Sequence, residues 1–463
     1  MMQNMYDLII IGAGPGGYVA GIRASQLGLK ACIVEKQKVG GVCLNVGCIP
    51  TKNIIYQADI FESSKELNNF GVEIDTEKFD FTKVLEKSKE SVETLVKGVE
   101  SLLKKNKVDL VQKRAKIVGR NSIMLDDGKE IYGRNIIIAT GSRPLQIPGF
   151  EFDEKKVLSS TGILNQKKLP KKIIILGGGA IGCEFAHIMN AFGVNVIIVE
   201  MQNQLLPFED EDNVAVLNDS FTKRGIEILT NTRALSITKT DMDITVTIED
   251  YQHNKRDINA DQVLCVFGRT PNTDDIGLEN IGLTTEKGYI SVDNNYQTAV
   301  KNVFAIGDVV ATPQLAHVAS KEAEIAVEYI AKKHTKLCLN YDNIPSGIYC
   351  EPQVASFGLR EKKAKEENIP YRKTIFPYRG VGKAVAVNKT EGKIKILTDP
   401  QTGEILGGHI IGHEATELIH ELLLAKSSEL LPEDIGDMIH AHPTFSELIR
   451  EGMLAVLGKA IHY

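Results

Sequence analysis

Two cysteines, Cys43 and Cys48, lie in the string Gly40-Gly-Val-Cys43-Leu-Asn-Val-Gly-Cys48-Ile-Pro-Thr-Lys52. Four residues separate them, a spacing that one helical turn can close into a disulfide. Pro50 suits the first turn of a helix, where a missing N–H costs nothing. A thiolate near that helix start and near Lys52 is stabilised, so its pKa falls. The chemistry on offer is thiol–disulfide exchange. Taken alone, a CxxxxC is more often two buried small residues; what precedes it changes that reading.

Immediately upstream, the apolar run Leu8-Ile-Ile-Ile11 meets Gly12-Ala-Gly14-Pro-Gly-Gly17, then a helical pattern, then Ala31 to Val34 ending at Glu35. The design recurs: Lys172-Ile-Ile-Ile-Leu176 leads into Gly177-Gly-Gly179-Ala-Ile-Gly182, and Val194 to Val199 ends at Glu200. The first glycine and the acid lie 23 residues apart in both copies. Strand, glycine turn, helix and strand form the βαβ unit of a doubly wound sheet. The glycines let a pyrophosphate approach the helix N-terminus, and the acid accepts hydrogen bonds from ribose hydroxyls. Two copies imply two dinucleotides. Met201 and Gln202 follow Glu200 with no arginine for a 2′-phosphate, so the second site is expected to prefer NAD over NADP.

These units account for part of 463 residues, a length that suggests about three domains. Between the copies, Val92, Leu95, Val96, Val99, Leu102 and Leu103 mark one face of a Lys/Glu-rich helix. Beyond about residue 345 the pattern changes to short strands with helices over roughly 415–426 and 446–457. The expected fold class is α/β: two Rossmann-like dinucleotide-binding domains plus a C-terminal α+β domain, which the family resemblance given below makes a dimerisation domain. The expected boundaries are 1–149 for the first dinucleotide-binding domain (FAD, by that resemblance), 150–274 for the second (NAD), 275–345 for a segment returning to the first and 346–463 for the C-terminal interface domain.

Composition excludes other classes. The formal charge of −6 argues against a nucleic-acid-binding surface. Seven cysteines are too few, and odd in number, for a secreted disulfide framework. The uncharged stretch from Leu8 to Ile22 is shorter than the ~18 residues a membrane span needs and is broken by glycines. The expectation is a cytoplasmic protein that binds neither nucleic acid nor membrane.

The string from Gly40 to Lys52 resembles the redox-active signature of the pyridine nucleotide–disulfide oxidoreductases, in their dihydrolipoamide dehydrogenase form. Ala139-Thr-Gly141, the doubled glycine motif, Gly268-Arg-Thr-Pro-Asn272, Ala305-Ile-Gly-Asp308 and His440-Ala-His442-Pro-Thr-Phe-Ser-Glu447 follow in the family's order over essentially the whole chain. The resemblance implies a tightly bound FAD at Gly12, Gly14, Gly17 and Glu35, and NAD as co-substrate at Gly177, Gly179, Gly182 and Glu200. It places Asp308 near the flavin ribityl chain and a Lys52–Glu184 ion pair beside the flavin. It adds Ala115, Thr140, Gly141, Gly268 and Ala316 to the cofactor-contacting set. His442 and Glu447 resemble the family's acid–base dyad. The sense is physical: a thiol with pKa near ~8.5 is mostly unreactive at neutral pH, and an imidazole oriented by a carboxylate can take its proton. A His440–His442 metal pair lacks a third ligand, so no metal is expected. A core histidine is the other competing role.

The implied reaction is oxidation of a protein-bound dihydrolipoyl group with reduction of NAD⁺, through a Cys43–Cys48 disulfide. Cys48 is expected to face the flavin. The alternative is another flavin disulfide reductase, glutathione- or mercuric-reductase-like; the ending Gly458-Lys-Ala-Ile-His-Tyr463 lacks the cysteine pair of the latter. The family further implies a homodimer in which His442 of one chain completes the other's site. The expected partner is a lipoyl-bearing protein of a 2-oxo acid dehydrogenase, glycine cleavage or acetoin cleavage system. Val42, Thr51 and Gln353 depart from the usual threonine, serine and acid. The remaining cysteines, Cys32, Cys183, Cys265, Cys338 and Cys350, are expected to be reduced bystanders.

Overall fold

A computed structural model describes residues 5–75, 78–240, 243–333 and 338–462. Tyr463, the end of the tail noted above, lies outside the described residues.

The first glycine motif sits between strand β1 (Tyr6–Ile11) and helix α1 (Pro15–Gln26), followed by strand β2 (Ala31–Glu35). β1 runs parallel to β2 on one side and to Glu130–Ile138 on the other. Strand β3 (Asp109–Gln112) extends the sheet beyond β2, and Val303–Ala305 closes it beyond Glu130–Ile138. β1 reads as unbroken isoleucine and leucine because both of its faces are covered. Leu8 and Ile10 join Ile33 and Ile137 in one core layer, while Ile9 and Ile11 join Cys32, Val34 and Ile136 in the layer opposite. With such side chains wholly buried, truncating Ile10 to alanine would cost about 2–5 kcal/mol.

The second copy repeats this around Lys172–Leu176. Parallel neighbours are Asn195–Val199 on one side and Gln262–Cys265 on the other, with Glu227–Leu229 and Val157–Leu158 at the edges. A three-stranded antiparallel sheet, Thr232–Lys239, Ile244–Asp250 and Lys255–Ala260, covers one face. A short antiparallel ribbon, Ser142–Pro144 with Arg269–Pro271, links the two nucleotide-type sheets.

From Ser346 onward the strands form one antiparallel sheet in the order Ser346–Ile348, Gln353–Gly358, Ile405–Gly412, Lys393–Thr398, Arg372–Pro377. Helices Ala415–Ser427 and Glu447–Val456 pack on it around Ile394, Ile410, Ile419 and Ile449. This is the α/β fold with a C-terminal α+β unit expected from the sequence.

Next come helices α2 (Gly41–Val46), α3 (Cys48–Ser64) and α4 (Phe81–Lys105). The apolar stripe on α4 is narrower than its sequence suggests. Val92, Val99 and Leu103 are buried, but Leu95 and Leu102 are exposed. The cause is that α4 packs on α1, α2 and α3 through Val92, Val99 and Leu103, and Leu95 and Leu102 lie at the edge of the stripe that these helices leave uncovered.

Candidate active site and dinucleotide sites

The cysteine segment is fastened to the first glycine loop by backbone. Gly40 donates its N–H to the Ala13 carbonyl at 2.8 Å, and a Cβ on Gly41 would stand 2.7 Å from the Gly14 Cα. Gly41 also has φ of 58°, so only glycine fits both the approach and the conformation. α2 ends at Gly47 and α3 opens on Cys48, which places the second thiol at a helix N-terminus. Cys43 is half-buried, Cys48 is exposed, and both are free thiols. The Cys43 thiol hydrogen-bonds the Cys48 sulfur and so holds Cys48 down to about 7, against the cost of the protein atoms that keep water from the sulfur itself and with help from the Lys52 charge. Cys43 is driven the opposite way by the same bond, then by burial. The hydrogen bond between them therefore favours a thiolate on Cys48 over one on Cys43. Of the departures nearby, Thr51 is buried and its hydroxyl donates to the Gly47 carbonyl at 2.7 Å, a bond serine could also make. Val42 is partly exposed beside Gly47.

Lys52 stands one turn along α3 from Cys48. Its Nζ donates to both oxygens of Glu184, at 2.7 and 2.9 Å. Glu184, on helix α5 (Ala180–Ala191), is 5% exposed, not the solvated helix-start acid that its position alone suggests. The Tyr349 N–H donates to the same carboxylate at 3.1 Å, and the Tyr349 ring lies 4.5 Å from Lys52 Nζ. Two turns further along α3, Asp59 meets the buried His187 of α5 at 2.9 Å, and Arg224 donates to the other ring nitrogen at 2.9 Å. Sequence reasoning singled out neither Tyr349 as a site residue nor the Asp59–His187–Arg224 chain. Nothing in their spacing marks them, because the contacts cross between units.

The two glycine loops match atom for atom. Gly12 and Gly177 have φ of 106° and 118°, and a Cβ would meet the Ala139 carbonyl oxygen at 2.3 Å or that of Val266 at 2.6 Å. Gly17 and Gly182 bring each helix so close that a Cβ would stand 2.0 Å from the preceding loop's carbonyl. Gly14 and Gly179 cap their helices without any side-chain bond, so the first N–H groups remain as donors for an anion. A Cβ on Gly179 would meet nothing within 4 Å. The buried carboxylates of Glu35 and Glu200 stand at the ends of their strands. This cradle fits a dinucleotide pyrophosphate and ribose in both copies.

Thr140 and Gly141 lie at the link between the sheets. The Thr140 hydroxyl donates to the Asn272 carbonyl at 2.7 Å, Asn272 Nδ2 returns a bond to the Thr140 carbonyl at 2.9 Å, and the Asn272 N–H donates to the Gly141 carbonyl at 2.8 Å. Ser142 donates to Asp308, and Arg269, the neighbour of Gly268, donates from Nε to Ser142 at 2.6 Å. Ala316 starts the helix Ala316–Ile330, and Ala115 is buried in the strand Ala115–Gly119. Neither alanine offers more than backbone to a ligand.

His442 Nδ1 lies 2.9 Å from Glu447 Oε1, while Glu447 Oε2 accepts the Thr444 N–H at 3.0 Å. Burial works against the Glu447 carboxylate, yet the Thr444 N–H and His442 hold it below the ordinary range. The His442 side chain is 72% exposed, with Nε2 the nitrogen left to face outward. His440 does not share a site with it: its side chain is buried and its Nε2 meets Glu421 at 2.8 Å. Among the described residues, three carboxylates cluster at Asp210, Asp212 and Glu361, but Lys395 Nζ already sits among them at 2.7, 2.6 and 3.3 Å.

Residues 6–323 match the family described as pyridine nucleotide-disulphide oxidoreductase, and residues 344–453 match its dimerisation domain. The chain belongs to the pyridine nucleotide-disulphide oxidoreductases. A dihydrolipoyl dehydrogenase of Bacillus subtilis is 40% identical, with 100% of each chain covered. Mitochondrial dihydrolipoyl dehydrogenase 1 of Arabidopsis thaliana is 39% identical over 98% of this chain and 91% of its own. Among solved structures, LpdA of Mycobacterium tuberculosis shares the fold, with a TM-score of 0.90 at 24% identity over 97% of this chain and 99% of that one. The HOCl-induced flavoprotein disulfide reductase RclA of Escherichia coli matches with a TM-score of 0.85 at 26% identity, covering 97% of this chain and 100% of that one. Membership in this oxidoreductase family implies use of a flavin and a pyridine nucleotide. Among the described residues no helix is long and apolar enough to cross a membrane.

Proposed function

We propose that this oxidoreductase is a dihydrolipoyl dehydrogenase, oxidising a protein-bound dihydrolipoyl group while reducing NAD⁺. The observation that carries the reading is the Cys43–Cys48 pair, one turn from Lys52, on helices fastened to the glycine loop that would cradle the first dinucleotide. Gly12, Gly14, Gly17, Glu35, Ala115, Thr140, Gly141, Asp308 and Ala316 would hold FAD, with Lys52 beside it. Gly177, Gly179, Gly182, Glu184, Glu200 and Gly268 would hold NAD. Residues 1–149 and 275–345 would serve the flavin, 150–274 the nicotinamide cofactor, and 346–463 the contact between two copies.

The enzyme starts with Cys43 and Cys48 joined as a disulfide. His442, its ring held by Glu447, takes the proton of one substrate thiol. The resulting thiolate attacks Cys43 Sγ, the substrate sulfur bonds to Cys43, and the Cys43–Cys48 bond breaks. Cys48 leaves as a thiolate, a role suited to the sulfur of lowered pKa at a helix N-terminus beside Lys52. The second substrate thiol attacks the substrate sulfur bonded to Cys43, closing the lipoyl ring and breaking the mixed disulfide, and its proton passes to the departing Cys43 sulfur. The dithiol now holds the substrate's two electrons. When bound, FAD would accept this electron pair and pass it to NAD⁺, restoring the disulfide and yielding NADH and one proton overall. The exposed face of His442 suits action on a site of the second chain in a homodimer, and the lipoyl group would arrive on a separate carrier protein.

The test is steady-state assay of the purified flavoprotein with dihydrolipoamide and NAD⁺, against glutathione disulfide with NADPH. Turnover is expected with the first pair alone and is lost in C43S and C48S. Preference for the second pair, or full turnover in C43S, overturns the reading.

A further inference from the structure

Tyr349 joins the C-terminal sheet to the redox helix. It lies between Ser346–Ile348 and Gln353–Gly358, yet its N–H is bonded to Glu184 at 3.1 Å and its ring stands 4.5 Å from Lys52 Nζ. Lys52 is thus held from two directions, by a buried carboxylate and by the face of an aromatic ring. Beyond the ring lies Thr416, which donates both its hydroxyl, at 2.8 Å, and its N–H, at 3.2 Å, to Gln353 Oε1. Gln353, which stands where an acid is usual, thus holds the start of helix Ala415–Ser427 with a neutral amide oxygen.

We propose that Tyr349 is a positioning residue for the redox pair: its ring keeps the Lys52 ammonium turned toward Glu184 and within range of Cys48. This rests on the reading of Cys43 and Cys48 as the redox pair. Lys52 is a long, flexible side chain, about a third exposed. With only one face bound, an ammonium spends part of its time in water, and its field at Cys48 falls with distance. An aromatic face supplies the missing wall, because its quadrupole attracts a cation whereas an aliphatic side chain does not. The groups that act on Cys48 are Cys43, Lys52 and Glu184, with Arg269 facing it from the inter-sheet ribbon. Those facing the Tyr349 hydroxyl and ring are Lys52, Glu417 and Glu184. Of these, Tyr349 touches Lys52 and the Glu184 carboxylate together, so its loss would act on the thiolate through Lys52.

The test is the pH dependence of Cys48 alkylation by iodoacetamide in the pre-reduced holoenzyme, read on the Cys48 peptide by mass spectrometry. Wild type, Y349F, Y349L and K52M are compared. Y349F keeps the ring and is expected to titrate with the wild type. Y349L, at wild-type flavin content, is expected to shift the midpoint up by about half to one pH unit, a roughly two- to fivefold slower reaction at pH 7. K52M shifts at least as far. Y349M repeats the comparison with an unbranched side chain if Y349L folds poorly. A Y349L midpoint equal to the wild type while K52M moves overturns the proposal, as does a Y349F shift as large as that of Y349L. An unmoved K52M removes the premise that Lys52 sets the thiolate, and the proposal falls with it. The alkylation series is independent of turnover, so failure of the wild type to oxidise dihydrolipoamide would reject the proposed function and leave this result standing.

Discussion

Glu35 and Glu200 close their loops with the same two hydrogen bonds. Glu35 accepts the Ala13 N–H on Oε2 at 2.7 Å and the Gln37 N–H on Oε1 at 2.6 Å. Glu200 accepts the Gly178 N–H on Oε2 at 2.6 Å and the Gln202 N–H on Oε1 at 2.7 Å. Each carboxylate is thus oriented by the backbone on both sides of the crevice where a ribose would sit, before any ligand arrives. An amide in its place offers one acceptor for two donors and cannot accept from two ribose hydroxyls as well. E200Q is therefore expected to raise KM for NAD⁺ by about tenfold to a hundredfold with kcat little changed, as loss of one charge-assisted bond predicts. E35Q is expected to lose flavin on dialysis while its NAD⁺ affinity holds. Initial-rate kinetics and flavin absorbance check these. Equal effects of both variants on both cofactors would mean that the loops are not independent sites.

The second prediction concerns His442. Its Nδ1 is engaged by Glu447 and its Nε2 is the outward nitrogen, an arrangement that serves a thiol only if the ring can gain and lose a proton. H442A should lower kcat by about a hundredfold to ten-thousandfold. E447Q should fall between, because the neutral amide can still orient the ring but no longer offsets its positive charge. Flavin reduction by dihydrolipoamide, followed by stopped flow, is the readout. Wild-type rates in H442A at neutral pH would remove the histidine from the mechanism.

The Lys52–Glu184 pair gives a third. Lys52 is partly exposed and can return to water when its partner is removed, so the fold loses less than for a wholly buried pair. E184Q is expected to slow flavin reduction by about tenfold or more, through loss of the held charge beside the redox pair. Tm should move by only a few degrees, on the order of 1 kcal/mol. Unchanged reduction in E184Q would sink the idea that the pair serves chemistry.

Much of this site was legible because its parts are local. The strand–glycine–helix units, Cys43 with Cys48, and His442 with Glu447 each lie within a short stretch, where spacing maps directly onto one turn or one strand. What depended on tertiary packing was less so. Glu184 looks like a surface acid from its position, and only the approach of α3 to α5 buries it on Lys52. Leu95 and Leu102 carry the correct period yet remain exposed, since period reports a face and not whether anything covers it. Gln353 read as a missing acid, and its bonds to Thr416 become visible only when strand and helix are brought together.

The last prediction concerns Glu322, a residue that no motif marks. It lies wholly buried on the helix Ala316–Ile330, and its carboxylate accepts the Gly307 N–H at 2.5 Å and the Thr312 hydroxyl at 2.7 Å, beside Asp308. Burial raises its pKa to about 7, the two hydrogen bonds oppose that rise, and the Asp308 charge adds to it. Because this is an acid with a raised value, the folded chain keeps a proton that the unfolded chain releases. Unfolding free energy therefore falls as pH rises from about 4.5 through about 7, and levels off above, by up to about 3 kcal/mol. E322Q cannot ionise and should lack this slope. Its Tm is expected to gain on the wild type from about pH 5 to about pH 7 and to hold that gain toward pH 8. Thermal melts of both proteins across that range decide the matter: parallel curves would mean that Glu322 ionises in the folded chain as readily as in the unfolded one. A widening gap would assign the slope to the ionisation of Glu322.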